Sequence, residues 1–326
     1  MDVISVSVDS RKNSAKIIER VLWLTALSMI LFAFVLDTPA EIFEGVRKIV
    51  LHPDGLITDY SSVGGFGATF LNAGIIMAAS LIIVKGSHAM ISGATIACVF
   101  LMAGFSMFGK NIANIWPIIF GVYLFSKVQK EKFSKYVYIA LYGTALAPMI
   151  TEFVLQSQGF FVKLVTALLI GTVIGFLLPP LATYCLRVHQ GYNLYNVGFA
   201  AGLVGTLIVS VMKSFGYEVT SNLVWTYENN TAVIAYMYLL SAALMVTGWV
   251  LTEDKASIKR IYRHSGRLVA DFILLDGVPT TLFNMGTLGV FATSYILITG
   301  GTINGATMGG IFTIIGFCAF GKHLRN

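Results

Sequence analysis

The sequence predicts an all-α, polytopic integral membrane protein of about ten transmembrane helices. Hydrophobic residues make up 56% of the 326 positions and charged residues only 12%, whereas a soluble globular domain carries about 25% charged residues. Apolar runs long enough to cross a hydrocarbon core of about 30 Å recur along the whole chain. The sequence also resembles itself at a fixed offset of 212 in the numbering, so that Ile91 corresponds to Ile303, which predicts an internal structural repeat.

The apolar runs give the predicted spans. The run at 112–126 is short and opens with Asn114 and Pro117, so we predict either a re-entrant or a broken helix there. The ten predicted spans lie at about 21–37, 66–84, 89–108, 112–126, 136–156, 162–186, 192–212, 231–251, 278–298 and 302–320.

The distribution of Lys and Arg predicts the orientation. With a cytoplasmic N-terminus, 17 of the 22 basic residues fall on the inside and 5 on the outside, which is the bias that membrane insertion favours. We therefore predict a multi-pass protein of the cell (inner) membrane. The N-terminus and the 127–135 and 253–267 connections are then cytoplasmic, and the 38–65 and 213–230 connections face outward. The net charge of +6 lies in these connections, so topology explains it and nucleic acid is not an expected partner.

The internal repeat relates residues 56–110 to 268–322. Sixteen of these 55 positions are identical without a gap, and they include Asp, Asn, Thr and Lys, which are costly in membranes. The helix at 21–37 shifts by the same offset onto 233–249. Seven spans separate equivalent points, so the two copies must cross the bilayer in opposite directions, as in many secondary transporters. The predicted organisation is a cytoplasmic tail at 1–20, a first copy at 21–230 and a second at 231–326.

The second copy is expected to be incomplete. Residue 326 corresponds to residue 114, so the counterparts of the helices at 112–126, 136–156, 162–186 and 192–212 are missing. A chain with two complete copies would have about twice as many residues as the offset of 212. We therefore expect this chain to be a fragment or a truncated gene product.

Polar residues that occur in both copies are the first candidates for a transport pathway. An ionised Asp near lipid is usually kept for ions, protons or substrate, although Asp also caps helices. Asn offers both a donor and an acceptor to a polar solute, but it also joins helices by hydrogen bonds. The threonines lie near predicted helix starts, which attract anions or carbonyl oxygens. The pairs are Asp59 with Asp271, Asn72 with Asn284, and Thr95 with Thr307.

Three candidates have no counterpart in the second copy. Asn193 and Asn196 lie in a segment rich in hydrogen-bonding groups that opens the predicted helix at 192–212. Glu152 lies within a span near its outer end, four residues after Pro148, which can kink the helix. A carboxylate in that place is a candidate proton relay or a structural hydrogen-bonding group.

Enzymatic and metal chemistry have no support in the sequence. Cys98, Cys185 and Cys318 lie in apolar stretches outside any metal-binding pattern, and no hydrolase motif occurs. We expect no catalytic residue, metal or cofactor. The leading hypothesis is a transporter or channel for a small polar solute or ion, with H⁺ or Na⁺ as coupling ion. The alternatives are a membrane scaffold or assembly subunit and, with less support, a membrane-embedded enzyme. The expected partners are lipid and the solute, and a homo-oligomer is left open.

Several sequence strings carry a resemblance to a known family. They are NAGIIM, SGATIACVFLMAGFSMFGKNIANIWPI, HQGYNLYNVGFAAGLVGT and GTINGATMGGIF. On these strings the chain resembles, over essentially its whole length, an uncharacterised family of bacterial multi-spanning proteins, the domain-of-unknown-function 1576 family. The resemblance implies a membrane protein and brings no substrate or catalytic residue. A weaker similarity, to urea transporters, rests on inverted repeats and a Gly-Tyr-Asn turn, here Gly191-Tyr192-Asn193, and it stays an analogy.

Overall fold

The computed structural model describes residues 8–55, 57–214, 216, 223–266 and 268–325. Residues 1–7 of the predicted N-terminal tail, Leu56 at the start of the repeat, and parts of the 213–230 and 253–267 connections lie outside the described residues. The helices in the described part are α1 (Val8–Leu36), α2 (Pro39–Leu51), α3 (Tyr60–Gly86), α4 (Gly93–Phe105), α5 (Trp116–Val128), α6 (Val137–Gly143), α7 (Ala147–Gln156), α8 (Phe160–His189), α9 (Asn196–Ser214), α10 (Thr231–Leu251), α11 (Ser257–Arg260), α12 (Phe272–Leu275), α13 (Val278–Ile298) and α14 (Gly305–Phe317).

Helix length separates these elements into two groups. Seven helical segments are long and apolar enough to cross a membrane, namely Asn13–Leu36, Tyr60–Gly86, Val137–Leu155, Phe160–His189, Asn196–Ser214, Thr231–Leu251 and Val278–Ile298. Three of the predicted spans are shorter, because α4, α5 and α14 have only 13 residues each. At 1.5 Å per residue such a helix is about 20 Å long, which is less than the thickness of a hydrocarbon core.

Two short strands hold the start of α3. Strand β1 (Ile57–Thr58) pairs in parallel with β2 (Leu223–Val224). Isolated bridges then join Asp59 to Phe108 and Asp271 to Phe320, so the residue before each helix start contacts the segment that follows the end of α4 or of α14. The two bridges are related by the offset of 212.

Backbone conformations that favour glycine recur at the same offset. Gly65 interrupts α3 with φ of 86° and ψ of 165°, and Gly277 separates α12 from α13 with φ of 85° and ψ of 165°. His88 and Gly300 both have positive φ in the turn after α3 or α13. Such a conformation is rare for residues with a Cβ, and here it occurs at pairs of positions that the offset of 212 relates.

Helices α4 and α14 run antiparallel at the centre of the molecule. The first residue of α14, Gly305, lies against Met107 beyond the end of α4, and the first residue of α4, Gly93, lies against Ala319 beyond the end of α14. Halfway along, the rings of Phe100 and Phe312, which are equivalent residues, have centroids 5.8 Å apart.

Small residues allow the close approach of these helices. A Cβ on Gly104 would lie 2.7 Å from the carbonyl oxygen of Gly309, and one on Gly316 would lie 3.1 Å from that of Ala97. These two contacts are equivalent under the offset of 212. Glycine therefore lets the backbones of α4 and α14 pack directly against each other, as in other membrane helix pairs.

The outer helices pack differently on the two copies. In the first copy, α5 to α9 cover α4 and α3, and their apolar side chains form one buried cluster with Ile76, Val84, Cys98 and Met102. The equivalent surface of the second copy, between α13 and α14, is an open apolar groove of about 530 Å³ whose lining includes Leu288, Ile296, Gly310 and Ile314.

Candidate functional site

Asp59 is fully buried at the start of α3 and accepts hydrogen bonds from three parts of the chain. Its Oδ1 accepts from the N–H and the hydroxyl of Ser61 at 2.9 and 2.6 Å and from the N–H of Gly305 at 2.9 Å. Its Oδ2 accepts from the N–H of Thr226 at 2.9 Å. The carboxylate thus caps α3 and α14 together, where the positive ends of two helices favour a negative charge.

Asp271 has the corresponding place in the second copy. It is partly exposed and accepts from the N–H groups of Ile273 and Leu274, at 3.1 and 3.2 Å, in the short helix α12. The N–H of Gly93, the first residue of α4, donates to both of its oxygens at 3.1 and 3.0 Å. Each aspartate therefore caps the short helix of the other copy, and the two contacts are reciprocal.

Asn72 lies in the middle of α3, further from the helix start than we predicted, because α3 begins at Tyr60. Its Nδ2 donates to the carbonyl oxygens of Ser106 and Lys110, at 2.7 and 2.9 Å, and its Oδ1 accepts from the N–H of Ile112 at 3.1 Å. Ser106 is the residue that caps the C-terminus of α4, where carbonyl groups lack helical partners, and Lys110 and Ile112 belong to the segment beyond it. Asn72 thus stabilises the non-helical segment after α4.

Asn284 makes the same contacts in the second copy, with one difference. Its Nδ2 donates to the carbonyl oxygens of Cys318 and Lys322 at 2.9 and 2.8 Å. Its Oδ1 is buried and has no hydrogen-bond partner among the described residues. The second copy therefore closes around its asparagine less completely than the first.

Thr95 and Thr307 begin the two short helices, as we predicted. Each accepts at its hydroxyl oxygen from the backbone N–H of the capping residue, Ser92 at 3.0 Å or Asn304 at 2.8 Å, and so completes a capping box. The hydroxyl of Thr95 also forms a 2.6 Å hydrogen bond with that of Tyr138 on α6.

The lysines that follow the short helices have different surroundings. Lys110 is 0% exposed, and its Nζ lies 3.4 Å from Sδ of Met102 and 5.0 Å from the ring centre of Phe105. Lys322 is partly exposed, and its Nζ lies 5.8 Å from the ring centre of Tyr195. No salt bridge joins either ammonium to an acidic residue within the described part of the chain.

Glu152 lies in α7 near the end of a long helical segment, as predicted, and is partly buried. The expected kink is a short 3₁₀ turn at Thr144–Leu146, just before Pro148. Asp54 and His52, in the connection before β1, lie near enough to interact electrostatically with Glu152. Asp54 was not singled out in the sequence, because a His-Pro-Asp-Gly run reads as an ordinary turn.

Asn193 and Asn196 lie beside a cavity of about 300 Å³ between α4, α6, α9 and α14. Helix α9 begins at Asn196, four residues later than predicted, after a turn in which Asn193 accepts from the N–H of Tyr195 at 2.9 Å. The Nδ2 of Asn196 donates to the carbonyl oxygen of Ala182 at 3.0 Å. The cavity is mostly apolar, and its lining includes the equivalent residues Phe105 and Phe317 besides Tyr138 and Tyr142.

Seven of the nine predicted candidates fall into two groups, whereas Thr307 lines the groove between α13 and α14 and Glu152 belongs to neither group. Asp59, Asn72, Asp271 and Asn284 bind backbone groups at helix ends, and none of them lines the cavity between α4 and α14. Asn193 and Asn196 line it directly, and Thr95 touches it through Tyr138. Within the described ranges, no three His, Cys, Asp or Glu side chains come together in a way that could hold a metal ion.

Comparison with known proteins adds one finding. The model of a family described as "Protein of unknown function (DUF1576)" matches residues 38–214 and 252–326. No curated protein matches, and no solved structure matches, so the weaker similarity to urea transporters receives no support. On this match over most of its length, the chain belongs to the DUF1576 family.

Proposed function

We propose that the protein is a membrane transporter or channel for a small polar solute or ion. The observation that carries the proposal is the antiparallel pair α4 and α14, with each N-terminus capped by the aspartate of the other copy. Two copies of one local fold that meet head to tail are what an inverted repeat requires. Inverted repeats with short or interrupted helices at their interface are a recurrent plan of secondary transporters.

The non-helical segments around these helices support the same proposal. Backbone that is not helical is tolerated at membrane depth only where protein buries it or where it lines a water-filled cavity. Asn72 and Asn284 supply donors to the carbonyl groups beyond α4 and α14. We infer that these residues hold the two short helices in place and act on the pathway indirectly, as do Asp59 and Asp271.

The solute pathway that we propose passes through the cavity between α4, α6, α9 and α14. Phe105 and Phe317, which are equivalent in the two copies, both line it. Its polar groups include those of Tyr138, Asn193 and Asn196, and a few polar groups in a mostly apolar cavity are typical of sites for small molecules. A small, uncharged or singly charged solute with hydrogen-bonding groups fits this lining.

Uptake into proteoliposomes tests the proposal. The purified chain would be reconstituted and offered a panel of radiolabelled small solutes, with and without a gradient of H⁺ or Na⁺. We expect uptake of at least one solute, and we expect Phe317→Trp to reduce it by filling the cavity. Phe120→Trp is the matched control, since Phe120 is exposed on the outer surface of α5.

A second function is favoured by one observation. The groove between α13 and α14 is open and apolar, although its equivalent in the first copy is covered by α5 and α6. An exposed apolar groove is typical of a contact with a protein or with lipid. Occupation of this groove by a helix of another protein would make the chain a scaffold or assembly subunit without transport, which is the alternative. Absence of uptake for every solute, together with unchanged folding of the variants, would favour this alternative.

A further inference from the structure

Asp54 is a buried carboxyl group that does not line the proposed solute pathway. It lies in the connection between α2 and β1 and is 3% exposed. Its two oxygens accept from the phenol hydroxyl of Tyr60 at 3.1 and 3.3 Å, and the Thr151 side chain on α7 makes a further polar contact. No salt bridge and no backbone N–H donor to this carboxyl group is found in the part of the chain that the structure describes.

Asp59, five residues later, is also a buried carboxyl group, and it has a fuller set of hydrogen-bond donors. It accepts four hydrogen bonds, three of them from backbone N–H groups, and lies at two helix N-termini. Asp54, in contrast, has hydrogen bonds among the described residues only with the hydroxyl groups of Tyr60 and Thr151. An isolated buried charge is costly, and a group in such a place gains a proton instead.

The charged neighbours of Asp54 do not offset this cost. Glu152 on α7 is the acidic residue that faces it, and a second negative charge disfavours ionisation. Tyr60 on α3 is the other titratable group in contact with it. His52, two residues earlier, interacts electrostatically with Glu152 and holds its own Nδ1 against the carbonyl oxygen of Pro53 at 2.7 Å.

The second copy shows that the local fold does not require this arrangement. The residue equivalent to Tyr60 is Phe272, which has no hydroxyl group, and the residue equivalent to Asp54 is Gly266. The second copy nevertheless makes the same aspartate cap, the same glycine break and the same hydrogen bonds from the asparagine Nδ2. The Asp54–Tyr60 pair is therefore an addition to the common local fold.

A network of polar side chains joins the pair to the segment after α4 and returns to Asp54 through Thr151. The Nδ2 of Asn111 points to the Tyr60 hydroxyl at 3.5 Å, and the N–H of Asn111 donates to Oδ1 of Asn114 at 2.9 Å. Asn114 donates in turn to the hydroxyl of Thr151 at 3.0 Å. These groups belong to the segment after α4 that Asn72 also contacts, so a proton on Asp54 is linked to the end of the central short helix.

We propose that Asp54 is a proton-binding site. Its carboxylate takes a proton from water on the side of the α2–β1 connection, and the resulting carboxylic acid lies within hydrogen-bond distance of the Tyr60 hydroxyl. Burial raises the pKa of Asp54 to about 8, which agrees with a carboxylic acid that is protonated at neutral pH. Protonation removes one negative charge beside Glu152, and deprotonation restores it. The proton-binding role rests on this geometry, and only its use as the coupling ion rests on the proposed function.

Infrared difference spectroscopy of the full chain in lipid bilayers tests the proposal. Spectra would be recorded between about pH 5 and about pH 10, and the signal is the carbonyl stretch of a protonated carboxylic acid. We expect a band that disappears on raising the pH, with a midpoint near pH 8, and that is absent in Asp54→Asn. Glu152→Gln is the matched control and should keep the band.

Tyr60→Phe is a second variant. It gives the first copy the same residue type that the second copy has at the equivalent position, Phe272. The Tyr60 hydrogen bond lowers the pKa of Asp54, so its loss should move the midpoint to higher pH. A band that persists in Asp54→Asn and vanishes in Glu152→Gln would overturn the proposal, as would a wild-type protein without a band that titrates above about pH 6. If the protein shows the band but no uptake, the result would support the proton-binding site and contradict the proposed transport.

Discussion

Removal of the Asp59 carboxylate should weaken the contact between the two copies at one end of α14. In Asp59→Asn, the new amide can keep Oδ1 for Ser61 and Gly305, but its NH₂ group then faces the N–H of Thr226. A buried donor left without a partner costs about 1–3 kcal/mol. We therefore expect Asp59→Asn to lower the free energy of unfolding by that amount.

Asp59→Ala should cost more, because it removes every acceptor at this place. Three backbone N–H groups and one hydroxyl group then lose their partner, which at the lower limit of about 1 kcal/mol for each N–H group gives at least about 3 kcal/mol. For a chain of this size, each kcal/mol corresponds to roughly 2 °C in Tm. The expected loss is about 6 °C or more for Asp59→Ala.

The assay is thermal unfolding in detergent. After heating, size-exclusion chromatography of the fluorescently tagged protein measures the fraction that is still folded. Asp254→Ala is the control, since Asp254 is exposed and accepts from the N–H of Ala256 in a surface turn, and such changes usually cost about 0.5 kcal/mol or less. The reasoning is refuted if Asp59→Ala melts at the same temperature as Asp254→Ala.

Three further predictions concern packing, the asparagines and pH. Gly309→Ala should destabilise the protein by about 1–3 kcal/mol, because its Cβ would lie 2.4 Å from the ring of Phe108, whereas Gly310→Ala meets nothing within 4 Å and should be neutral or stabilising in the same melting assay. Asn72→Ala should destabilise more than Asn284→Ala, since Asn72 uses both ends of its amide and Asn284 leaves Oδ1 unpaired among the described residues; equal losses would contradict this. Because the pKa of Asp54 is raised to about 8 from 3.8, its contribution to stability should fall as pH rises through that range, by at most about 1.4 kcal/mol per pH unit, and Asp54→Asn should flatten that dependence.

The positions that make equivalent contacts could be predicted from the sequence, for a physical reason. Polar residues are rare in membrane helices, so matches such as Asp59 with Asp271 and Asn72 with Asn284 are informative even at low identity. The hydrogen bonds of the two asparagines recur at the predicted offset. Apolar positions carry less of this information, because many of them are interchangeable in lipid.

The roles of the same residues could not be predicted equally well. Whether a buried Asp or Asn faces a solute or a backbone group depends on where the neighbouring helix ends, and hydropathy does not mark that point. Helix α3 begins at Tyr60 and breaks at Gly65, so Asn72 lies at mid-helix and faces the turn after α4. The long-range partners Gly305 and Thr226 of Asp59 have no local signal in the sequence either.

Asp54 was missed for a related reason. Its polar surroundings come from Tyr60, at the nearby start of α3, and from α7 and the segment after α4, which are distant in the sequence. The surrounding His-Pro-Asp-Gly run is typical of an exposed turn. The contrasts of Asp54 with Gly266 and of Tyr60 with Phe272 were visible in the sequence, but two such differences do not distinguish a site from neutral substitutions.

The opposite orientation of the two copies is the central claim, and labelling of two equivalent residues tests it most directly. Glu44 and Ala256 are equivalent under the offset of 212 and both are exposed, while Cys98, Cys185 and Cys318 are buried. Glu44→Cys and Ala256→Cys would be made separately without the native cysteines and treated in intact cells with a membrane-impermeant maleimide. We predict that Glu44→Cys is labelled from outside and that Ala256→Cys is labelled only after permeabilisation. Labelling of both from the same side would contradict the inverted repeat and the transport proposal that rests on it.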